Sequence, residues 1–269
     1  MARELDRPMR VLLLAAAGLV FLAGVQLFVF PTRTDRWFAW TIGEPLTAAV
    51  LGAAYWSAVA FEVLAARARL WADARIAVPS VFVFTTLTLV VTLVHLDSFH
   101  LGAEHELGTR AVTWVWIAVY AVVPVAMVVI AVSQGLGGGS PSGARLAPPL
   151  VAVVGALAAV LFAVGAWLLL APSSAGDAWP WALPPLSARA VGAWCVGLGV
   201  AAAHALVERD VRRLRPAAAA FLAFGLLQAV ALARYGDAVD WSHPGAVALV
   251  VVLAVSVVTG GTVLRAAAR

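Results

Sequence analysis

Long apolar runs broken by short polar connections set the pattern of this chain. Eight runs can be drawn, at about 11–30, 45–65, 77–96, 111–132, 148–171, 186–206, 216–233 and 245–264. Each is close to the ~20 helical residues that cross ~30 Å of hydrocarbon. A membrane barrel would show apolar and polar residues in alternation, which is absent, and an open sheet leaves its backbone unsatisfied in lipid. The pattern therefore predicts an all-α membrane protein with eight transmembrane helices. Arg3, Arg7 and Arg10 precede the first run as in a signal peptide. That run is long enough to span, and Pro31-Thr32-Arg33 follows it in place of a small-residue cleavage site, so it reads as an uncleaved first span.

The pattern occurs twice. Asp35 and Trp37 recur as Asp177 and Trp179. Pro45, Leu46, Thr47, Ala48, Gly52 and Ala53 recur as Pro185, Leu186, Ser187, Ala188, Gly192 and Ala193 with identical spacing. Gly24 and Pro31 have the counterparts Gly165 and Pro172. The expectation is two four-helix repeats, residues 1–133 and 148–269, joined by a Gly/Ser/Pro-rich linker over 134–147. Four spans per half give both halves the same orientation, related by an axis along the membrane normal. Ala48/Gly52 and Ala188/Gly192 are small residues four apart, one helical face each, and are expected at close helix contacts.

Composition agrees with this class and fixes an orientation. The chain is 63% hydrophobic and 12% charged, about half the charge of a soluble domain. Its net charge of +4 is carried entirely by arginine on the basic side, with no lysine, so a Schiff base is excluded. Arginines gather before the first run and in the connections after the second, fourth and sixth, and again at the end of the chain. This bias predicts a bacterial inner-membrane protein with both termini in the cytoplasm, its arginine-rich face meeting anionic headgroups. The lone Cys195 sits in an apolar run and reads as a structural thiol. Nothing suggests a nucleic-acid partner.

The candidate chemistry lies in the opposite connections. Asp97-Ser-Phe-His100 and Asp240-Trp-Ser-His243 place one Asp-x-x-His in each half. Asp97, His100, Asp240 and His243 together would supply a metal site such as zinc takes. Solvated side chains at headgroup level are the plainer reading. Arg189 stands one turn inside the sixth run where the matching residue is Ala49. An arginine at that depth pairs or snorkels, and with Asp97 and Asp240 it forms the candidate substrate-binding set. Asp177, Asp237 and Asp240 are its expected acidic partners. His204 and Glu62, near the inner ends of two runs, are candidates for a contact with each other. Phosphate-binding loops, His-Glu-x-x-His and Gly-x-Ser-x-Gly motifs are absent.

The Trp179-x-Trp181 stretch with Pro185-Leu-Ser-Ala-Arg-Ala-Val-Gly-Ala-Trp194, together with Trp40-Thr-Ile-Gly-Glu-Pro-Leu-Thr-Ala-Ala49 and Trp114-Val-Trp-Ile-Ala-Val-Tyr120, resembles an uncharacterised family of bacterial multi-pass membrane proteins over most of the chain. The resemblance implies no activity, cofactor or partner beyond the bilayer. The leading functional expectation is transport of a small solute or ion between the repeats. A membrane enzyme or metal-binding protein using the Asp-x-x-His pairs, and a non-catalytic scaffold or accessory subunit, are the alternatives.

Reporter fusions at Ser142 and at Arg269 are expected to report the cytoplasm. A periplasmic signal from either position would remove the eight-span topology.

Overall fold

The computed structural model describes residues 3–135 and 143–269. Most of the expected linker, 136–142, lies outside the described residues. Eight helices are long and apolar enough to cross a membrane. They are α1 (Arg7–Gly24, continued by a π-helical turn Val25–Val29), α2 (Pro45–Ala66), α3 (Ala77–Val94), α4 (Leu107–Gln134), α5 (Pro148–Leu170), α6 (Pro185–Glu208), α7 (Arg215–Tyr235) and α8 (Pro244–Ala267). The described part of the protein is an all-α membrane protein; its extended pairings are isolated bridges.

Proline sets most of the starts. α1, α2, α5, α6, α7 and α8 carry Pro at the first or second helical position, where its missing N–H has no intrahelical partner to lose. Glu44 caps α2 by accepting from Leu46 N, and His243 caps α8 by accepting from Gly245 N at 3.0 Å.

The helices arrange themselves by how much small-residue surface they carry. α2 and α6, rich in Ala and Gly, lie inside, with 67% and 56% of their most apolar stretches buried against 28% for α8. α1 packs on α2 and α5 on α6; α3 packs on α4 and α7 on α8. The two halves interleave, because across them α2 packs on α7 and α6 on α3. This set of neighbours is unchanged when α1–α4 are exchanged for α5–α8. Each crossing carries one side-chain bond to a backbone carbonyl, Ser80 Oγ to Gly197 O at 2.8 Å and Gln228 Nε2 to Val50 O at 3.0 Å.

The connections follow the same exchange. On the arginine-rich face Leu5 N donates to Arg69 O and Trp71 N to Arg3 O. In the second half Leu146 N donates to Arg209 O and Val211 N to Ala144 O. Thus the described end of the expected linker is held against the α6–α7 connection. Its beginning is held too, since Gln134 accepts from Asp6 N and donates to Glu4 O. On the opposite face His100 N donates to Ala39 O at 2.9 Å, and Asp240 N to Pro180 O at 2.7 Å.

Gly52 and Gly192 sit where the first helix of each half crosses the second. A β-carbon on Gly52 would lie 2.5 Å from Phe28 N. One on Gly192 would lie 3.0 Å from Gly165 O and from Leu168 Cβ. Ala48 and Ala188 beside them are fully buried. In lipid the helices have no hydrophobic drive to associate, so close backbone approach supplies the attraction.

Gly52→Leu and Gly192→Leu are each expected to cost about 1–3 kcal/mol through overpacking. Gly18→Leu serves as control, because a β-carbon there meets nothing within 4 Å. Thermal unfolding in detergent should show a lower Tm for the first two variants and none for the control; equal Tm for all three would refute the contact.

Candidate functional site

The two Asp-x-x-His pairs do not assemble. Both ring nitrogens of His100 are engaged, Nδ1 with Phe38 O and Nε2 with Thr41 Oγ1, each at 2.9 Å. His243 uses Nδ1 to cap α8, and Asp240 accepts from Ser242. Among the described residues no group of three or more His, Cys, Asp or Glu side chains could hold a metal ion. The expected ligand set of Asp97, His100, Asp240 and His243 is therefore corrected. The reason is register. His100 and Asp240 make the matching backbone bonds, and Asp97 lies in the short 3-10 turn Leu96–Ser98, whose counterpart Gly236–Ala238 holds Asp237. The Asp-x-x-His likeness is out of step with the fold by three residues.

Arg189 finds a partner other than the three acids expected. Its Nη1 pairs with His95 Nε2 at 2.6 Å and its Nε donates to Leu169 O at 3.1 Å. The matching carbonyl of the first half, Phe28 O, accepts from Arg234 Nη1 at 2.6 Å. An arginine thus satisfies a carbonyl at the end of α1 and of α5, but it comes from α7 in one half and from α6 in the other. Burial and the Arg189 guanidinium hold the His95 pKa below the ordinary histidine value. Arg189 joins α6 to α5 and, through His95, to the end of α3, where Asp97 is the second charged neighbour of that imidazole; Asp240 accepts from Ser242.

On the arginine-rich face His204 pairs within its own helix, Nε2 to Glu208 Oε1 at 3.2 Å. The expected contact with Glu62 is replaced by this i, i+4 pair. Glu208 also binds Arg213 Nη1 through Oε2 at 2.9 Å and Arg75 from the other half. Arginines from both halves thus meet the Glu208 carboxylate.

Glu62 faces inward instead. α2 carries Tyr55, Ala58 and Glu62 at i, i+3 and i+7, which is one helical face. That face lines a cavity of about 350 Å³, within the range of small-molecule sites. The walls come from α1, α2, α3, α4, α6 and α7, so both halves contribute. At its mid-helix end Tyr55 and Tyr120 share a hydroxyl–hydroxyl bond of 2.7 Å, packed among Phe84, Trp116 and Trp194. Glu62 lies two turns away along α2, roughly 10 Å towards the arginine-rich face. Its side chain is only 2% exposed, and Oε2 is enclosed without a hydrogen-bond partner, the one carboxylate oxygen in that state among the described residues. A second cavity of about 230 Å³ lies between α2, α5, α6, α7 and α8. Counted from Pro185 and Pro45, Cys195 holds the position of Tyr55 and lines this cavity, Ala202 holds the position of Glu62 outside its walls, and no carboxylate lines them.

Counting along the run puts Glu62 near the inner end of the second span, and no motif singles out Tyr55 or Tyr120 as a pair. The available signal was local. Glu62 is an acid lying a full turn inside an apolar run, seven residues from a tyrosine.

The chain matches no family model, no curated protein and no solved structure.

The histidine geometry yields a pH prediction. His95 and His100 both have folded pKa values below the ordinary one near 6.5, through burial first. The unfolded chain then takes up protons more readily, so stability should fall as pH drops from about 7.5 through 6.5. His95→Gln, which keeps an acceptor for Arg189, should flatten part of that fall in Tm measured against pH. An unchanged slope would show that His95 does not contribute.

Proposed function

We propose that this integral membrane protein is of transport type, a duplicated four-span unit in the bacterial cytoplasmic membrane with both termini in the cytoplasm. It takes a small solute or ion at Glu62. The observation carrying the reading is the enclosed, unpartnered Oε2 of Glu62 in the wall of the larger cavity. Leaving a buried acceptor unsatisfied costs about 1–3 kcal/mol, more for a charged group. A carboxyl inside a membrane helix at that cost is a functional group by default. The shared neighbours of α1–α4 and α5–α8 support the duplication. The arginine bias supports the orientation, with that face against anionic headgroups.

A lipid-soluble carbodiimide that enters the cavity adds to a carboxyl in its wall and tests the site directly. In the full-length protein, peptide mass analysis should find Glu62 modified. Glu62→Gln should lose the modification while keeping or raising Tm, since an unsatisfied acceptor with no structural duty is relieved. Absence of modification, or a clear fall in Tm in Glu62→Gln, would make Glu62 structural and return the bundle to a scaffold reading.

A further inference from the structure

The walls of the Glu62 cavity differ from its polar groups in a way that selects an occupant. The hydroxyl protons of Ser57, Ser80 and Thr85 are already committed to backbone carbonyls, Ala54 O at 2.7 Å, Gly197 O at 2.8 Å and Val81 O at 2.7 Å. Each oxygen keeps acceptor capacity. Glu62 adds a carboxyl oxygen without a hydrogen-bond partner. The indole N–H of Trp116 is engaged by Thr92 Oγ1 at 3.0 Å. The cavity lining contains no arginine, lysine or histidine. The remaining donors are the Gln26 amide and the second hydroxyl proton of the Tyr55–Tyr120 pair, and the cavity has one acid and no basic side chain, so it suits a group that brings its own protons and positive charge.

The way in is lateral. α1 and α4 touch only sparsely. Leu22 on α1 and Val115 on α4 line the same cavity and are 59% and 55% exposed on the flank of the bundle. A residue exposed on a membrane helix flank faces lipid, so this gap joins the cavity to the hydrocarbon. Apart from Gln26, the α1 and α4 residues beside this gap, Leu19, Leu22, Ala23, Val112 and Val115, are apolar.

We infer that the cavity binds a lipid-soluble amine, its ammonium at Glu62 and its chain along the apolar gap between α1 and α4. The inference rests on the reading of Glu62 as the binding group and names its ligand class and route. An ammonium is the partner this buried carboxyl lacks, and their attraction in low dielectric offsets the desolvation of both charges when further acceptors, here the Ser57, Ser80 and Thr85 oxygens, take the remaining N–H protons. A free acid or an anionic lipid head is disfavoured by the same carboxylate, and a neutral alcohol supplies a proton without the charge.

The test uses full-length protein in lipid nanodiscs and the rate of carbodiimide modification at Glu62. N,N-dimethyldodecylamine, cationic and without a transferable acyl-accepting N–H, should slow modification at least about tenfold more effectively than dodecanol. Trimethylamine, which has the charge but no chain, should protect little. The double variant Leu22→Trp/Val115→Trp, which narrows the gap, should slow modification without ligand. No modification under any condition would mean that the site itself is wrong. Modification with equal protection by amine and alcohol would overturn the ligand class and leave the site standing. Protection by trimethylamine as strong as by the long amine, with no effect of the double variant, would overturn the lateral route.

Discussion

Close backbone approach between helices is the constraint on which this structure depends. Water drives no association inside a bilayer, so helices hold together where their surfaces fit. At Gly52 and Gly192 the backbones come so near that a single β-carbon would meet Phe28 N or Gly165 O. These two contacts place α1 against α2 and α5 against α6, and so present the remaining faces of α2 and α6 to α7 and α3. The interleaving of the halves follows from that. It also gives the bundle an inner pair of helices, and a polar residue on them is cut off from both water and headgroups.

Polar groups in this setting are satisfied or costly. Thr85, Thr88 and Thr92 turn their hydroxyls back to carbonyls one turn earlier on α3. Gln228 reaches Val50 O, and Trp181 Nε1 reaches Thr47 Oγ1 at 2.9 Å. Glu208 is surrounded by Arg75, Arg213 and His204. Glu62 departs from this economy, and it does so in the wall of the larger of the two cavities described above. The matching position of the second half is Ala202, so the departure belongs to one half only. Arginine clamping shows the opposite behaviour. The carbonyl at the end of α1 and of α5 is satisfied in both places, although Arg234 and Arg189 come from different helices. The chemistry is kept while its source moves, as expected when the requirement is set by an orphan carbonyl and any nearby helix can meet it.

The sequence by itself determined the eight spans, the proline starts of the second and sixth, and the small residues at the helix crossings. Each of these is local: run length against bilayer thickness, a missing N–H in a first turn, two small residues four apart. Only the tertiary structure decided the pairing across the halves. That pairing set His100 against Phe38 and Thr41 and put Asp240 in the place of His100, which dissolved the Asp-x-x-His match. It gave Arg189 the imidazole of His95 and left Glu208 as the partner of His204. Depth along a span can be counted from sequence, but the direction a side chain faces depends on which helix packs there. Glu62 sits near a span end by count and inside a cavity by packing, because α2 is enclosed by α1, α3 and α7 on its remaining sides.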